Sequence, residues 1–363
     1  MIQLKTDCRH FRGDIPCTPH KQFGVHCVDE KGKDCVHYDR IDKKILIIKL
    51  GAVGDVIRTT PLLHKLKQIH PHAKIFWLTN SPEILPSQVD ERLRFSLPAV
   101  VALRSMQFDI LYNLDKDREA CALCAQISAT EKRGCILKDG VITPIDNNAE
   151  AKYLTGVFND VSKANRKSYP QEIFEMCGFP FAGERYILDR PTSGKRGWKI
   201  NPKKTVIGLN TGCGDRWTSR LWEDGNWISL AKNLRKKGYE VVLLGGEQEH
   251  AKNLRFARAS KAKYFGHFPL REFIDLVDQC DLVVTGVTMA MHITIGLGKK
   301  IILFNNIFNK YEFELYGLGS VLEPEKPCQC FYQPTCTNKH YRCMESLSVE
   351  RVVSTCLSLC PAS

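Results

Sequence analysis

The stretch that decides the fold is Lys44-Ile45-Leu46-Ile47-Ile48-Lys49-Leu50-Gly51-Ala52-Val53-Gly54-Asp55. Its β-branched, apolar first half predicts a buried strand over residues 44–50. Two glycines follow, and then an amphipathic pattern that predicts a helix from about Asp55 to Ile69. In a strand-loop-helix of this kind the small residues let backbone N–H groups approach an anion at the helix N-terminus. The spacing lacks the third glycine of a dinucleotide fingerprint and the Gly-Lys-Ser/Thr of a Walker loop. Asp55 then has two readings: a first-turn acid that stabilises the helix, or a catalytic carboxylate.

Working outward, strands are predicted at residues 74–79 and 108–114, and helices at 118–127 and 171–177. Residues 191–204, rich in Gly, Lys and Pro, read as a linker. A second series follows: strands at 205–210, 239–245, 281–285 and 300–305, with helices at 223–237, 247–259, 270–279 and 289–297. A last helix is expected at 349–359. The expected class is α/β, with two Rossmann-like domains on parallel sheets. The boundaries are a Cys/His-rich segment 1–43, a first domain 44–190, the linker 191–204, a second domain 205–325 and a Cys-rich tail 326–363.

The chain has 363 residues, enough for two cores, with 43% hydrophobic and 25% charged residues, the balance of a globular protein. No apolar run approaches the roughly 20 residues of a membrane span. The polar start is unlike a signal peptide, so a cytoplasmic location is expected. A net charge of +12 favours anionic partners such as phosphates or an acidic membrane surface.

Ligands of open parallel sheets bind outside the carboxyl ends of the strands. Three loops sit at such ends. The first is Gly51 to Asp55, which includes Gly54 and is followed by Arg58. The second is Asn210-Thr211-Gly212-Cys213-Gly214, followed by Arg216 and Arg220. Arginines there either grip a diphosphate or stack on Trp217 and Trp222. The third is Thr285-Gly286-Val287-Thr288-Met289-Ala290-Met291-His292, where hydroxyls and a helix N-terminus can hold a diphosphate. His292, on an otherwise apolar helix, reads by itself as a packed, hydrogen-bonded histidine more than as a ligand contact.

Taken together, residues 45–57 with Thr60-Pro61-Leu62, the Asn210 loop, Arg220-Leu221-Trp222, Leu244-Gly245-Gly246-Glu247 and Asp281 to His292 resemble glycosyltransferase family 9 in order. These are the ADP-heptose:lipopolysaccharide heptosyltransferases. The resemblance covers roughly residues 44 to 305. It implies a GT-B fold with facing sheets and a central cleft, a nucleotide diphosphate sugar on the second domain and a lipid-linked or core saccharide acceptor on the first. It implies metal-independent, inverting transfer with Asp55 as general base, working at the inner membrane face. Donor contacts fall on Asn210, Thr211, Gly212, Arg216, Arg220, Glu247, Thr285, Gly286, Thr288, Met291 and His292. The acceptor side falls on Gly51, Gly54 and Arg58.

Arg220 stands where the family usually has lysine, and Glu249 competes with Glu247 for the ribose. Val287 and Met289 replace an acidic residue and a glycine, which favours, as the rival reading, a GT-B-like binding protein with an altered donor site. A nicotinamide oxidoreductase lacks its three-glycine pattern, and no nucleic-acid motif is present.

Sixteen cysteines are many for a reducing compartment. Cys8, Cys17, Cys27 and Cys35, with His10, His20, His26 and His37 nearby, form one candidate set for structural zinc or iron-sulfur. Cys328, Cys330, Cys336 and Cys343 form another. Reduced thiols in small packed termini are the alternative for both.

Overall fold

Strand β1, Lys44–Ile48, has four consecutive residues sealed from solvent on both faces, as its unbroken apolar run requires. The computed structural model describes residues 2–191, 196–214 and 216–361. Residues 192–195 of the expected linker lie outside the described residues, as do the first residue and the last two of the chain.

Six strands form the first sheet: β1, β2 (Lys74–Thr79), β3 (Glu91–Arg94), β4 (Gln107–Asn113), β5 (Ser128–Lys138) and β6 (Val141–Pro144), in the order β3-β2-β1-β4-β5-β6. All pairings are parallel except β5 with β6. The purely parallel expectation fails there because Asp139 and Gly140 both take positive φ, 50° and 78°, and close a two-residue hairpin. The core on one side of this sheet joins Leu46, Ile48 and Leu78 to Phe108 and Leu123.

The second sheet contains β7 (Val206–Asn210), β8 (Glu240–Leu244), β9 (Leu282–Gly286), β10 (Lys300–Phe304) and β11 (Gly319–Leu322), ordered β11-β10-β9-β7-β8 and parallel throughout. The strand order reverses between β7 and β9, and the crevice for a ligand opens at the carboxyl ends of such a pair. The helix Val349–Leu359 packs back onto this core through Val352, Val353 and Cys356. Trp222 Nε1 anchors the approach to it by donating to Leu347 O at 2.9 Å.

The expected helix from Asp55 to Ile69 is two helices, Val53–Ile57 and Leu62–Ile69. Pro61 has no N–H to donate and disfavours helical geometry at Thr60. The Thr59 and Thr60 hydroxyls turn back to the carbonyls of Val56 and Ile57, each at 2.7 Å.

The chain divides into two compact units. One comprises Met1–Gly51, Leu62–Tyr153 and Met176–Gly178; the other comprises Ala52–Pro61, Leu154–Glu175 and Phe179–Ser363. The short helix that carries Asp55 therefore groups with the second sheet. Among the described residues, no helix is long and apolar enough to cross a membrane.

Candidate active site

In the first unit, the loop after β1 already holds an anion of the chain's own making. Asp115, just beyond β4, accepts from the backbone N–H groups of Leu50 and of Gly51, the latter at 3.0 Å, and pairs with Lys49. The pair is buried, with side chains 5% and 8% exposed. Gly51 thus faces a carboxylate that sequence reasoning missed. An acid at the end of β4, the strand paired with β1, was the available signal.

The second unit gathers the remaining candidates. Asp55 lies in the first turn of Val53–Ile57 and pairs with Arg58 at 2.7 Å. Arg58 in turn lies 3.4 Å over the Tyr169 ring. Burial works against the guanidinium charge, but Asp55 together with Tyr169 and Glu312 outweighs it and holds the Arg58 pKa above its ordinary value. The Asp55 side chain remains about one-third exposed, at 34%, against 16% for Arg58. One carboxylate is therefore both fixed and accessible.

His292, on the helix Met289–Gly296, lies against Gly54. Burial, reinforced by the Arg58 charge and opposed by Asp55, pushes its pKa down to about 3, so the ring is neutral. Its Nδ1 is buried without a hydrogen-bond partner. His292 is packed in the core, against the helix that carries Asp55.

At the reversal point of the second sheet, Asn210 ends β7 opposite Thr285 of β9. Asn210 Nδ2 donates to the hydroxyls of Thr285 at 3.0 Å and Thr288 at 3.2 Å. These hydroxyls lie 3.1 Å apart. Thr288 is the N-cap residue of Met289–Gly296 and makes no side-chain capping bond there. The result is a polar floor at a helix N-terminus, where backbone N–H groups favour an anion. Gly286 and Val287 form its partly exposed rim, whereas Met291 is fully buried in the core.

Arg220 is half-buried, and burial pulls its pKa down. Its guanidinium donates to the carbonyls of Val287 and, at 3.2 Å, Cys213, tying the second loop to the third. Arg216 is exposed and lies 5.2 Å over Trp217. Thr211 is buried and donates to Asn253 Oδ1 at 2.6 Å.

Of the two competing acids, Glu249 reaches this loop. It accepts from Gly246 N at 2.9 Å and Gly214 N at 3.4 Å, and an added Cβ on Gly212 would meet its carboxylate at 2.0 Å. Glu247 is exposed two residues earlier in the same turn.

The terminal cysteines are all free. In the tail, Cys330 Sγ donates to Cys336 Sγ at 3.7 Å and accepts from Thr337 N at 3.2 Å, while Asn306 Nδ2 donates to Cys343 Sγ at 3.3 Å. A hydrogen bond from Cys328 lowers the Cys343 pKa to about 6 and raises that of Cys328. The four N-terminal cysteines line a cavity of about 20 Å³ with His10, His26 and His37, whereas His20 turns to Val25 O at 2.9 Å.

Two parallel-rich sheets with anion-facing loops at their strand ends are the parts of a GT-B glycosyltransferase, and solved structures of that class share the fold. A glycosyl transferase of family 9 from Veillonella parvula superposes with a TM-score of 0.65 at 18% identity, covering 88% of this chain and 98% of its own. The ADP-heptose lps heptosyltransferase II of E. coli gives 0.63 at 17% identity, covering 87% and 98%. Lipooligosaccharide heptosyltransferase 2 of Haemophilus influenzae is 24% identical over 288 residues, covering 71% of this chain and 82% of that protein. The family model for glycosyltransferase family 9 (heptosyltransferase) matches residues 100–307, and the chain belongs to that family.

Proposed function

We propose that this glycosyltransferase moves a heptose from a nucleotide diphosphate heptose such as ADP-heptose onto a lipopolysaccharide-core saccharide, with inversion and with Asp55 as general base. The observation that carries the mechanism is the Asp55–Arg58 pair: a carboxylate held at 2.7 Å by a permanently charged partner yet about one-third open to solvent. Asp55 precedes the segment matched by the family model, so its role rests on this geometry and on the sequence motif. The relatives named as heptosyltransferases support the sugar, and the E. coli name supports an ADP donor.

In the proposed step an acceptor hydroxyl gives its proton to Asp55 as its oxygen bonds to the anomeric carbon. The bond from that carbon to the diphosphate oxygen breaks, and the diphosphate leaves with the electron pair. The polar floor of Asn210, Thr285 and Thr288, at the N-terminus of Met289–Gly296, receives the diphosphate charge without a metal. Arg58 holds the base in place through their ion pair. The net positive charge favours work beside an anionic membrane surface.

The test is ADP release from ADP-heptose with a lipopolysaccharide-core acceptor. Asp55→Ala is expected to lower kcat by about 10²–10⁴-fold, the usual worth of a general base. Near-normal turnover in that variant removes Asp55 from the chemistry. Absence of turnover by the unaltered chain with this donor, alongside turnover with another nucleotide sugar, removes the heptose.

A further inference from the structure

The segment ahead of β1 takes no part in the chemistry proposed above and is built unlike the rest of the chain. Residues 2–43 contain one helix, Thr18–Phe23, and two isolated bridges, Cys8 with Arg40 and Val28 with Asp34. Only Cys8 and Pro19 are buried there, while Ile2, Leu4, Ile15, Phe23 and Val36 are exposed. A stretch of about 40 residues without its own apolar core needs another source of order, usually disulfides or a metal. No disulfide is present among the described residues.

Four cysteines from separate parts of the segment nevertheless line one space. Cys8, Cys17, Cys27 and Cys35 all line the same cavity of about 20 Å³, room for a single water-sized occupant. The backbone around them is already organised. Phe11 N donates to Cys8 O at 3.0 Å, Lys21 N to Cys17 O at 3.0 Å and Tyr38 N to Cys35 O at 2.9 Å, so each of these three cysteines opens a turn. Cys35 N donates to Cys27 O at 2.9 Å, joining the last two. His37 N donates to Cys35 Sγ at 3.4 Å, the kind of N–H contact that stabilises a sulfur anion. Among the described residues, no three Cys, His, Asp or Glu side chains yet converge closely enough to hold an ion. Binding therefore requires the thiols to rotate inward from turns that are already formed.

We propose that Cys8, Cys17, Cys27 and Cys35 form a structural site for one zinc ion, bound by four thiolates, that fastens residues 2–43 into their fold. Four sulfur ligands suit a tetrahedral thiophilic ion, and a site closed by four protein ligands leaves no open position for catalysis. Each bound thiol gives up its proton to solvent as zinc enters, so loading releases protons and weakens in acid.

The experiment uses the full-length chain purified from zinc-supplemented culture, with metal and acid-labile sulfide measured on the same sample. The Cys8→Ser, Cys17→Ser, Cys27→Ser, Cys35→Ser quadruple variant is expected to lose about one zinc per chain. It should also become readily cut by trypsin at the exposed Lys21, Lys31 and Lys33. The four C-terminal cysteines stay intact throughout, so metal held by them cancels in the difference. Equal zinc content in the two proteins overturns the site, and acid-labile sulfide that disappears with the quadruple variant overturns the single ion in favour of a cluster. Should the quadruple variant be insoluble, chelator-stripped wild type and Cys17→Ser are titrated with cobalt(II). Weaker tetrahedral thiolate bands in Cys17→Ser support the site, and identical spectra overturn it.

Discussion

A methyl group on Gly54 would lie 2.4 Å from Cδ2 of His292. The glycine next to the proposed base is therefore required for contact: it lets the helix Val53–Ile57 lie flush against a buried imidazole. Gly54→Ala must push either the helix or the ring aside. The expected cost is about 1–3 kcal/mol of stability, typical of an overpacked core, with a clear fall in kcat because Asp55 rides on the displaced helix. Urea midpoints and turnover of Gly54→Ala and of the Gly54→Ala, His292→Ala pair provide the check. If removing the ring restores neither stability nor activity relative to His292→Ala alone, the contact is not what fixes the helix.

The donor floor makes a separable prediction. Asn210 Nδ2 reaches both Thr285 and Thr288, so Asn210→Ala frees two hydroxyls while β7 keeps its pairing. Affinity for ADP is expected to fall about tenfold, or ~1.4 kcal/mol, with a smaller change in kcat than Asp55→Ala produces. Calorimetry with ADP measures this directly. Unchanged affinity would move the nucleotide off this crevice.

Much of this architecture was legible because buried strands announce themselves. Residues 74–79 and 206–210 are apolar runs bounded by turn residues, and both appear within a residue of where they were expected. The misses have equally local causes. Pro61 splits a helix whose apolar periodicity continues across the break. Strand β3, Glu91–Arg94, alternates charged residues with partial burial at an edge and offers no apolar run to read. Asp139-Gly140 is a strong hairpin signal, but the regular strand-helix alternation before it favours another parallel strand. At the site, Asn210, Thr285 and Asp55 stood out as polar residues at the ends of apolar runs. The partnership of Asp115 with Lys49, and of Tyr169 with Arg58, spans dozens of residues, and neither pairing leaves a local pattern.

Asp115 supplies a prediction about the first unit alone. It satisfies Lys49 and two backbone N–H groups in a buried place. Asp115→Ala leaves a buried lysine charge and two orphaned donors, and a loss of about 3–5 kcal/mol is expected, as when one partner of a buried ion pair is removed. The Lys49→Met, Asp115→Asn double variant should recover much of it, since the buried charge disappears and the amide oxygen still accepts from the loop. Denaturant midpoints of the single and double variants decide the matter. A double variant no better than Asp115→Ala would mean that neither the stranded lysine charge nor the lost backbone acceptor explains the cost.

His292 also sets an expectation for acid stability. Its ring is neutral in the folded chain because burial and Arg58 depress its pKa to about 3, from an ordinary value of 6.5, with Asp55 opposing and the Tyr186 ring tilted beside it, centroids 6.1 Å apart. In the unfolded chain the ring titrates near 6.5. Below that pH the unfolded state takes up a proton that the folded state refuses, so the stability associated with the neutral ring is complete above 6.5 and declines as pH falls toward 3. His292→Gln removes this proton uptake, and the slope of unfolding free energy against pH between about 6.5 and 4.5 should flatten by up to one proton's worth. Urea titrations of both proteins across that window, with ionic strength held constant, measure the difference. Parallel slopes would show that the folded chain protonates His292 as readily as the unfolded one, which would place a charged imidazole beside Arg58 and reverse the electrostatics argued for the base.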